Sequence, residues 1–436
     1  MTELNLPLNK IVCGDSSEVL KSFPTESIDL LVTDPPYGIS FMGKDWDKSL
    51  PPKTVFQECF RVLKSGAIAF VMSSPRQDVL WRILAMLESC GFEMRQSFIS
   101  WVFASGFPKA LDVSKGIDKK LGLEREIVKG TPKPAEYSGL FDQRSSEERI
   151  KDLPASDAAK KWQGWKSMTG LKPALECILM VNKPLSEPTI VENVLKHGVG
   201  AVNVDACRIP CEGYAYKAPQ GSLFDGEIYG KGDEKGFLQQ PYESNDKGRF
   251  PANLLVSNNA LNDAREHKSS HGGGQSTEKT QSQFGIGVRG FKSENQYFDE
   301  GSFSRYFDLD AWAKHHGFLN VAKASKGERE KGLNETPVTL INRAEPRLNE
   351  TGWRKERLGK VWRHNVRPTV KPVKLMAYLV ELGCPLDGVV LDPFVGSGTT
   401  AVACQRLGRN FIGVEINSEY CEIARHRIDK FRQKHL

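Results

Sequence analysis

Two clusters in this chain combine residue types that can do chemistry together. The first is Thr33-Asp34-Pro35-Pro36-Tyr37-Gly38-Ile39-Ser40. It sets a carboxylate, two stiffened backbone carbonyls and an aromatic ring side by side. Asp34 and the carbonyl of Pro35 can accept the two N–H bonds of an exocyclic amine, while Tyr37 stacks on the flat heterocycle that carries it. The second is Leu391-Asp392-Pro393-Phe394-Val395-Gly396-Ser397-Gly398-Thr399-Thr400, followed by Ile412-Gly413-Val414-Glu415. Glycines let a loop backbone approach a ligand, and the start of a following helix offers free N–H groups. An acid about twenty residues further on can accept hydrogen bonds from both hydroxyls of a ribose. These are the parts of an adenosine-type cofactor site. A Walker-type phosphate loop would need Gly-Lys-Ser/Thr, whereas Thr399-Thr400 follow Gly398 with no lysine, which argues against a nucleoside triphosphate. The G-x-G-x-x-G spacing of a dinucleotide loop is absent as well.

Both clusters need strands that end at a common edge. Ile28-Asp29-Leu30-Leu31-Val32 reads as a buried strand, stopped by two prolines that cannot continue a ladder. Around it the patterning predicts a strand over 9–15 ending in a Gly14-Asp15 turn and a short helix over 17–23. A helix over 54–63, closed by Lys64-Ser65-Gly66, a strand over 67–72, a helix over 77–90 and a strand over 94–103 follow. Another strand is predicted over 174–181. Near Pro368 the alternation resumes, with helices over 374–382, 399–407 and 419–433 and strands over 388–392 and 410–415. Such alternation predicts an α/β fold with one Rossmann-like, doubly wound, mostly parallel sheet built from both ends of the chain. In such a sheet ligands bind outside the carboxyl ends of the strands. Segments 1–118, 172–208 and 359–436 are assigned to this domain and 119–171 to an insertion. Residues 209–358, rich in Gly, Ser, Asn, Gln and aromatics, are assigned to an inserted irregular recognition domain.

At 436 residues the chain exceeds one ordinary domain. No apolar run approaches a membrane span and the start lacks a signal pattern, so a cytoplasmic protein is expected. Nine scattered cysteines argue for free thiols. The formal charge of +6 is modest, yet Val321 to Lys374 holds fourteen Lys/Arg against six Asp/Glu. A basic stretch on a near-neutral body suits a polyanionic partner.

Together these residues resemble the S-adenosylmethionine-dependent DNA methyltransferases that modify exocyclic amino groups, the N6-adenine and N4-cytosine family. The order matches that family's permuted "beta" arrangement, with the catalytic motif first, a recognition region between, and the cofactor motif last. The resemblance implies a permuted methyltransferase fold and a catalytic motif at Asp34, Pro35, Pro36 and Tyr37. It implies S-adenosylmethionine held by Asp392, Phe394, Gly396, Ser397, Gly398, Thr399 and, at the ribose, Glu415. Arg367-Pro-Thr369-Val-Lys371-Pro372 matches a segment that helps enclose the cofactor, although the family more often has His where Arg367 stands. Gly14-Asp15 matches a turn near the adenine, and the strand around Glu176 a later segment of the catalytic domain. The implied partner is double-stranded DNA, bound by a monomer or homodimer with the target base flipped out of the stack. No metal is implied.

Other readings remain beside this one. Asp at the first motif position favours N6 of adenine, and N4 of cytosine is the alternative. A catalytically inactive DNA-binding protein is more distant, as is a methyltransferase acting on RNA or on protein glutamine. Pro210-Cys211 and Glu192-Asn193-Val194 imitate the motifs of cytosine-C5 enzymes, but in the wrong order. Cys207, Cys211, His267 and His271 imitate a zinc set with too long a gap between the pairs.

Overall fold

The computed structural model describes residues 6–39, 47–104, 110–130, 149–167, 171–211, 248–262, 265, 267–268, 300–318, 339–342, 360–363 and 370–432. The chain divides into two compact units, Met1–Ala104 with Leu175–Leu436, and Ser105–Ala174.

The larger unit is organised on an eight-stranded sheet. In chain order its strands are β1 (Lys10–Cys13), β2 (Ile28–Thr33), β3 (Leu63–Ser73), β4 (Ile99–Phe103), β5 (Leu175–Asn182), β6 (Leu254–Ser257), β7 (Val389–Asp392) and β8 (Asn410–Glu415). Their spatial order is β1-β8-β7-β2-β3-β5-β4-β6. Every neighbouring pair is parallel except those made by β5, which runs antiparallel to β3 and β4. The two ends of the chain thus interleave in one mostly parallel sheet, as its alternating pattern predicts.

Helices cover both faces. Leu30, Val32 and Phe70 pack with residues of α6 (Val373–Gly383) and α7 (Thr399–Arg406) in one apolar layer. Leu31, Val71 and Leu391 pack with α2 (Lys53–Val62) and α3 (Gln77–Ser89) in the other. Leu30 and Leu31 face opposite layers because side chains alternate along a strand. Ile28 breaks the alternation and joins the layer of Leu31, because the pairing with β3 shifts register between Ile28 and Leu30. Asp29, at that irregularity, is buried but satisfied: its carboxylate accepts from Lys64 Nζ at 2.6 Å and from the Val389 N–H at 2.7 Å. The acid inside an apolar run therefore helps to set the start of β7 beside β2.

Three elements differ from the sequence expectation. β3 begins at Leu63, so Lys64-Ser65-Gly66 lies in the strand, because Leu63 already pairs with Ile28. β4 is shorter, beginning at Ile99. Part of the region read as irregular belongs to the main unit: β6 extends the sheet beside β4, and α5 (Leu309–His315) packs on α6. Trp312 of α5 is fully buried, stands edge-on to Tyr378 at 5.1 Å and donates to the Ala206 carbonyl at 2.9 Å. Buried Lys374 pairs with Asp310 beside it. Elements of four and seven residues are too short for periodicity to reveal.

The decoy strings have structural roles among the described residues. Glu192-Asn193-Val194 lies on α4 (Ile190–His197), where Glu192 and Thr189 form a capping box. Asn193 is buried, donates to the carbonyls of Ser65 and Val199 at 2.9 Å each, and accepts from the Ser186 N–H at 3.3 Å. The Cys207 thiol is buried against the Tyr378 carbonyl, and that burial pushes its pKa up. His271 lies outside the described residues.

The smaller unit contains the helix Val113–Lys120, the antiparallel hairpin of Glu126–Gly130 with Arg149–Leu153, and the helix Asp157–Lys161. Residues 105–118, assigned by sequence to the first catalytic segment, belong with this unit. The Asp118 carboxylate organises it, accepting from Arg125 Nη1 (2.7 Å), the Ala155 N–H (3.0 Å), the Ser156 N–H (3.1 Å) and the Ser156 hydroxyl (2.7 Å).

Replacing Asn193 by Ala leaves two buried carbonyls without their donor. We expect a loss of about 2–4 kcal/mol of stability and a thermal midpoint lower by roughly 3–8 °C. An unchanged midpoint in a calorimetric melt would show that α4 is not pinned in this way.

Candidate active site

β7 lies beside β2 in parallel register, with Val390 opposite Leu30 and Leu391 opposite Leu31. Asp34 and the loop after Asp392 therefore leave the same edge of the sheet next to each other. The Asp392 carboxylate joins them. Its Oδ1 accepts from the Thr33 hydroxyl (2.7 Å) and the Phe394 N–H (3.1 Å), and its Oδ2 from the Thr400 hydroxyl (2.6 Å). Asp392 is 4% exposed, so these bonds are made away from water.

Asp34 is held by two partners. The Tyr37 hydroxyl donates to Oδ1 at 2.7 Å, and Lys371 Nζ donates to Oδ2 at 2.8 Å. Lys371 also pairs with Glu176 of β5 at 3.1 Å and lies 5.6 Å from the centre of the Tyr37 ring. Burial works against the lysine's charge, but the carboxylates of Asp34 and Glu176 outweigh it and leave the Lys371 pKa above its ordinary value. Burial, reinforced by Asp34, pushes the Tyr37 phenol far up, so it stays a donor. The turn itself is fixed by Asp47, whose Oδ1 accepts from the Tyr37 N–H (2.7 Å) and the Gly38 N–H (3.0 Å). Pro35 is buried and Pro36 half-buried at its centre.

On the other wall, Gly396 (φ +54°) and Gly398 (φ +82°) adopt left-handed backbone. At Gly398 a Cβ would stand 3.0 Å from that of Ala424 on α8 (Ser418–Arg432), so this loop packs too closely for a side chain. Buried Arg427, also on α8, donates to the Ser397 hydroxyl (3.2 Å) and the Thr399 hydroxyl (3.4 Å). Gly398 begins α7 without a side-chain cap, so the first N–H groups of that helix have no side-chain acceptor at the cap.

A shallow cleft opens between the two clusters, lined by Asp34, Val370, Lys371, Met376, Asp392, Phe394, Val395, Ser397, Thr399 and Thr400. Of the residues singled out by sequence, Asp34, Lys371, Asp392, Phe394, Ser397 and Thr399 line it. Glu415 ends β8, which lies beside β7, with its Oε1 accepting from the Asn417 N–H at 2.9 Å. Asp15 is exposed, and its carboxylate is taken by its own helix: it accepts from the Ser17 N–H at 2.7 Å, and the Ser17 hydroxyl pulls its pKa down. Asp15 is absent from the cleft wall. Thr369 lies outside the described residues. Asp47 and Arg427 escaped the sequence reading, and Thr33 and Glu176 entered it only as members of their segments. Glu176 stands near the start of an otherwise apolar strand and Arg427 among the buried positions Ala424 and Ile428, which are the signals that mark them.

A family model described as DNA methylase matches residues 28–426. Among curated proteins, the type II methyltransferase M2.DpnII of Streptococcus pneumoniae is 47% identical over 62 residues, 14% of this chain and 23% of its own length. The type II methyltransferase M.SmaI of Serratia marcescens is 43% identical over 74 residues, 16% of this chain and 25% of its own. The aligned part thus spans about a quarter of the curated relatives it matches. Among solved structures, the cytosine-N4-specific PvuII DNA methyltransferase aligns at 15% identity and a TM-score of 0.39, covering 96% of this chain and 85% of that one.

The Asp392 bonds generate a prediction. Asp392→Ala strands two buried hydroxyls and a part-buried N–H and should cost about 2–4 kcal/mol, while Asp392→Asn, which keeps an acceptor oxygen, should cost less. Denaturant unfolding of both variants checks the order, and equal losses would contradict the role given to the carboxylate.

Proposed function

This chain belongs to the DNA methylase family, and from that premise we propose that it transfers a methyl group from S-adenosylmethionine to the exocyclic amino group of a base in double-stranded DNA. The observation that carries the reading is the single cleft lined by both Asp34 and the loop from Asp392 to Thr400. The residues present fit the cofactor. The uncapped start of α7 suits a carboxylate, and Glu415 suits ribose hydroxyls. Two carboxylates against one ammonium, Asp34 and Glu176 with Lys371, suit a cationic sulfonium. When bound, S-adenosylmethionine supplies an electrophilic methyl group.

The chain's own residues then have defined tasks. An aromatic amine is a poor nucleophile because its lone pair is delocalised into the ring. Asp34 and the Pro35 carbonyl accept its N–H bonds, draw the nitrogen toward a tetrahedral state and stabilise the positive charge that develops there. Tyr37 fixes Asp34 through Oδ1 and offers its ring for stacking. Lys371 holds Oδ2, the oxygen the amine needs, and Glu176 gives the ammonium a second carboxylate to shift toward as the amine arrives. The proton released from nitrogen passes to the Asp34 carboxylate. Reaching this buried group requires the base to leave the duplex, at a cost of a few kcal/mol that stacking on Tyr37 offsets. Asp at position 34 supports N6 of adenine as the acceptor ahead of N4 of cytosine.

Mass analysis of nucleosides from DNA treated with the protein and labelled cofactor should find N6-methyldeoxyadenosine. N4-methyldeoxycytidine alone would overturn the choice of base, and no label in DNA would overturn the reaction. Asp34→Ala should lower the transfer rate by at least about a hundredfold. Lys371→Gln should lower it about tenfold or more, and by a constant factor from pH 6 to 9. The sign follows from the raised pKa: the lysine is fully charged below about pH 10.4, and its contribution fades only as the pH climbs through the raised value. A deficit that varies between pH 6 and 9 would show that Lys371 titrates there.

A further inference from the structure

The basic stretch from Val321 to Lys374 is the obvious source of phosphate contacts in the sequence. Most of it lies outside the described residues, and its last two lysines turn inward, Lys371 to Asp34 and Glu176 and Lys374 to Asp310. A different surface has the chemistry for DNA. In the smaller unit, Lys160-Lys161-Trp162-Gln163-Gly164-Trp165-Lys166 places three lysines and two tryptophans in seven residues with no acid among them. All seven are exposed, with Trp165 59% and Trp162 38% accessible. The two indoles meet edge to face, 5.0 Å apart at 77°. The segment is firmly rooted. The Ser156 hydroxyl caps its helix while the Ser156 N–H and hydroxyl are held by Asp118, and the Trp165 carbonyl accepts from the Val113 N–H at 3.1 Å.

We propose that this surface binds double-stranded DNA, with Lys160, Lys161 and Lys166 on phosphates and the Trp162–Trp165 pair against bases or sugars that an opened duplex exposes. The proposal rests on the methyl-transfer reading above. Large exposed indoles demand a partner, and interleaved cations fit a polyanion; lysine is depleted from interfaces between proteins. Lys160 and Lys166 pair with Asp157 and Asp112, but with side chains 60% and 46% exposed such pairs are weak and exchange readily for phosphate. Aromatic rings supply the sequence-tolerant stacking that an opened duplex offers.

The test uses the full chain and a duplex of about thirty base pairs. Affinity is measured by fluorescence anisotropy across a salt series, together with kcat and KM for DNA and the affinity for S-adenosylmethionine. The triple variant K160E/K161E/K166E should raise KM for DNA about tenfold or more and reduce the salt slope by roughly 2–3. W162A/W165A should raise KM several-fold with the slope unchanged. Both should bind S-adenosylmethionine like the wild type, which reports an intact fold. Wild-type DNA affinity and slope in both variants would overturn the proposal. So would a change of oligomeric state by light scattering with DNA affinity intact, which would make the surface a contact between copies. Failure of the functional reading would show differently, in a wild-type protein that transfers no methyl group to DNA, and the proposal would fall with it.

Discussion

The arrangement depends first on the carboxylate of Asp392, which bonds to Thr33 across 359 positions of the chain. Thr33 is the residue before Asp34, and Thr400 lies in the first turn of the helix that follows the glycine loop. One acceptor-only group therefore fixes the distance between the candidate acceptor of an amine and the candidate holder of a cofactor. Hydrogen bonds to a charged group are worth about 1.5–3 kcal/mol each. Drying the carboxylate costs several kcal/mol in turn. The net gain in stability is small, while the penalty for any other geometry is large, so the group acts on position more than on stability.

Charge within the cleft follows the same logic. Lys371 stands between Asp34 at 2.8 Å and Glu176 at 3.1 Å, with side chains 11%, 14% and 20% exposed. Each attraction is of order 5 kcal/mol at the effective dielectric of such a site, which is why the lysine pKa rises despite its burial. A third charge with no partner in the triad remains, and it is negative. The surplus beside the cleft is thus negative, and any group that approaches Asp34 meets a carboxylate whose two oxygens are already bonded.

Much of this was legible in the sequence, for reasons that vary by element. Strands such as Asn410–Glu415 and helices such as Thr399–Arg406 are bounded by glycine, proline and polar residues, and their limits were readable within a residue or so. The two clusters were legible because their residue types are restrictive at fixed spacing. Long-range partners were not. Nothing local to Asp47 marks it as a neighbour of the Asp34 turn, and an acid in an apolar strand does not say which charge Glu176 meets, since those contacts join residues far apart in the chain or across a turn. Asp15 shows the converse. Its position in a turn matched the cofactor motif, yet its carboxylate is committed to capping its own helix. The Glu-Asn-Val string showed why order matters more than identity: Asn193 serves a turn, with its amide spent on two carbonyls.

The region read as irregular also bears on the site through packing. β6 joins the sheet beside β4, and the indole of Trp101 on β4 donates to the Ser257 hydroxyl on β6 at 3.1 Å. α5, from the same region, packs its buried Trp312 against Tyr378 of α6 and pairs Asp310 with buried Lys374. Lys374 lies three residues after Lys371, across Pro372, which fixes the backbone angle at the start of α6. A buried ion pair that loses one partner is costly, about 3–5 kcal/mol, so α6 cannot rotate freely about its axis. The direction in which Lys371 leaves the helix start, and with it the hold on Asp34, is therefore set by a residue from the middle of the chain. The order of the two motifs has a structural consequence here: the segment between them is no passive insert but supplies part of the frame that aims a charge at the Asp34 carboxylate.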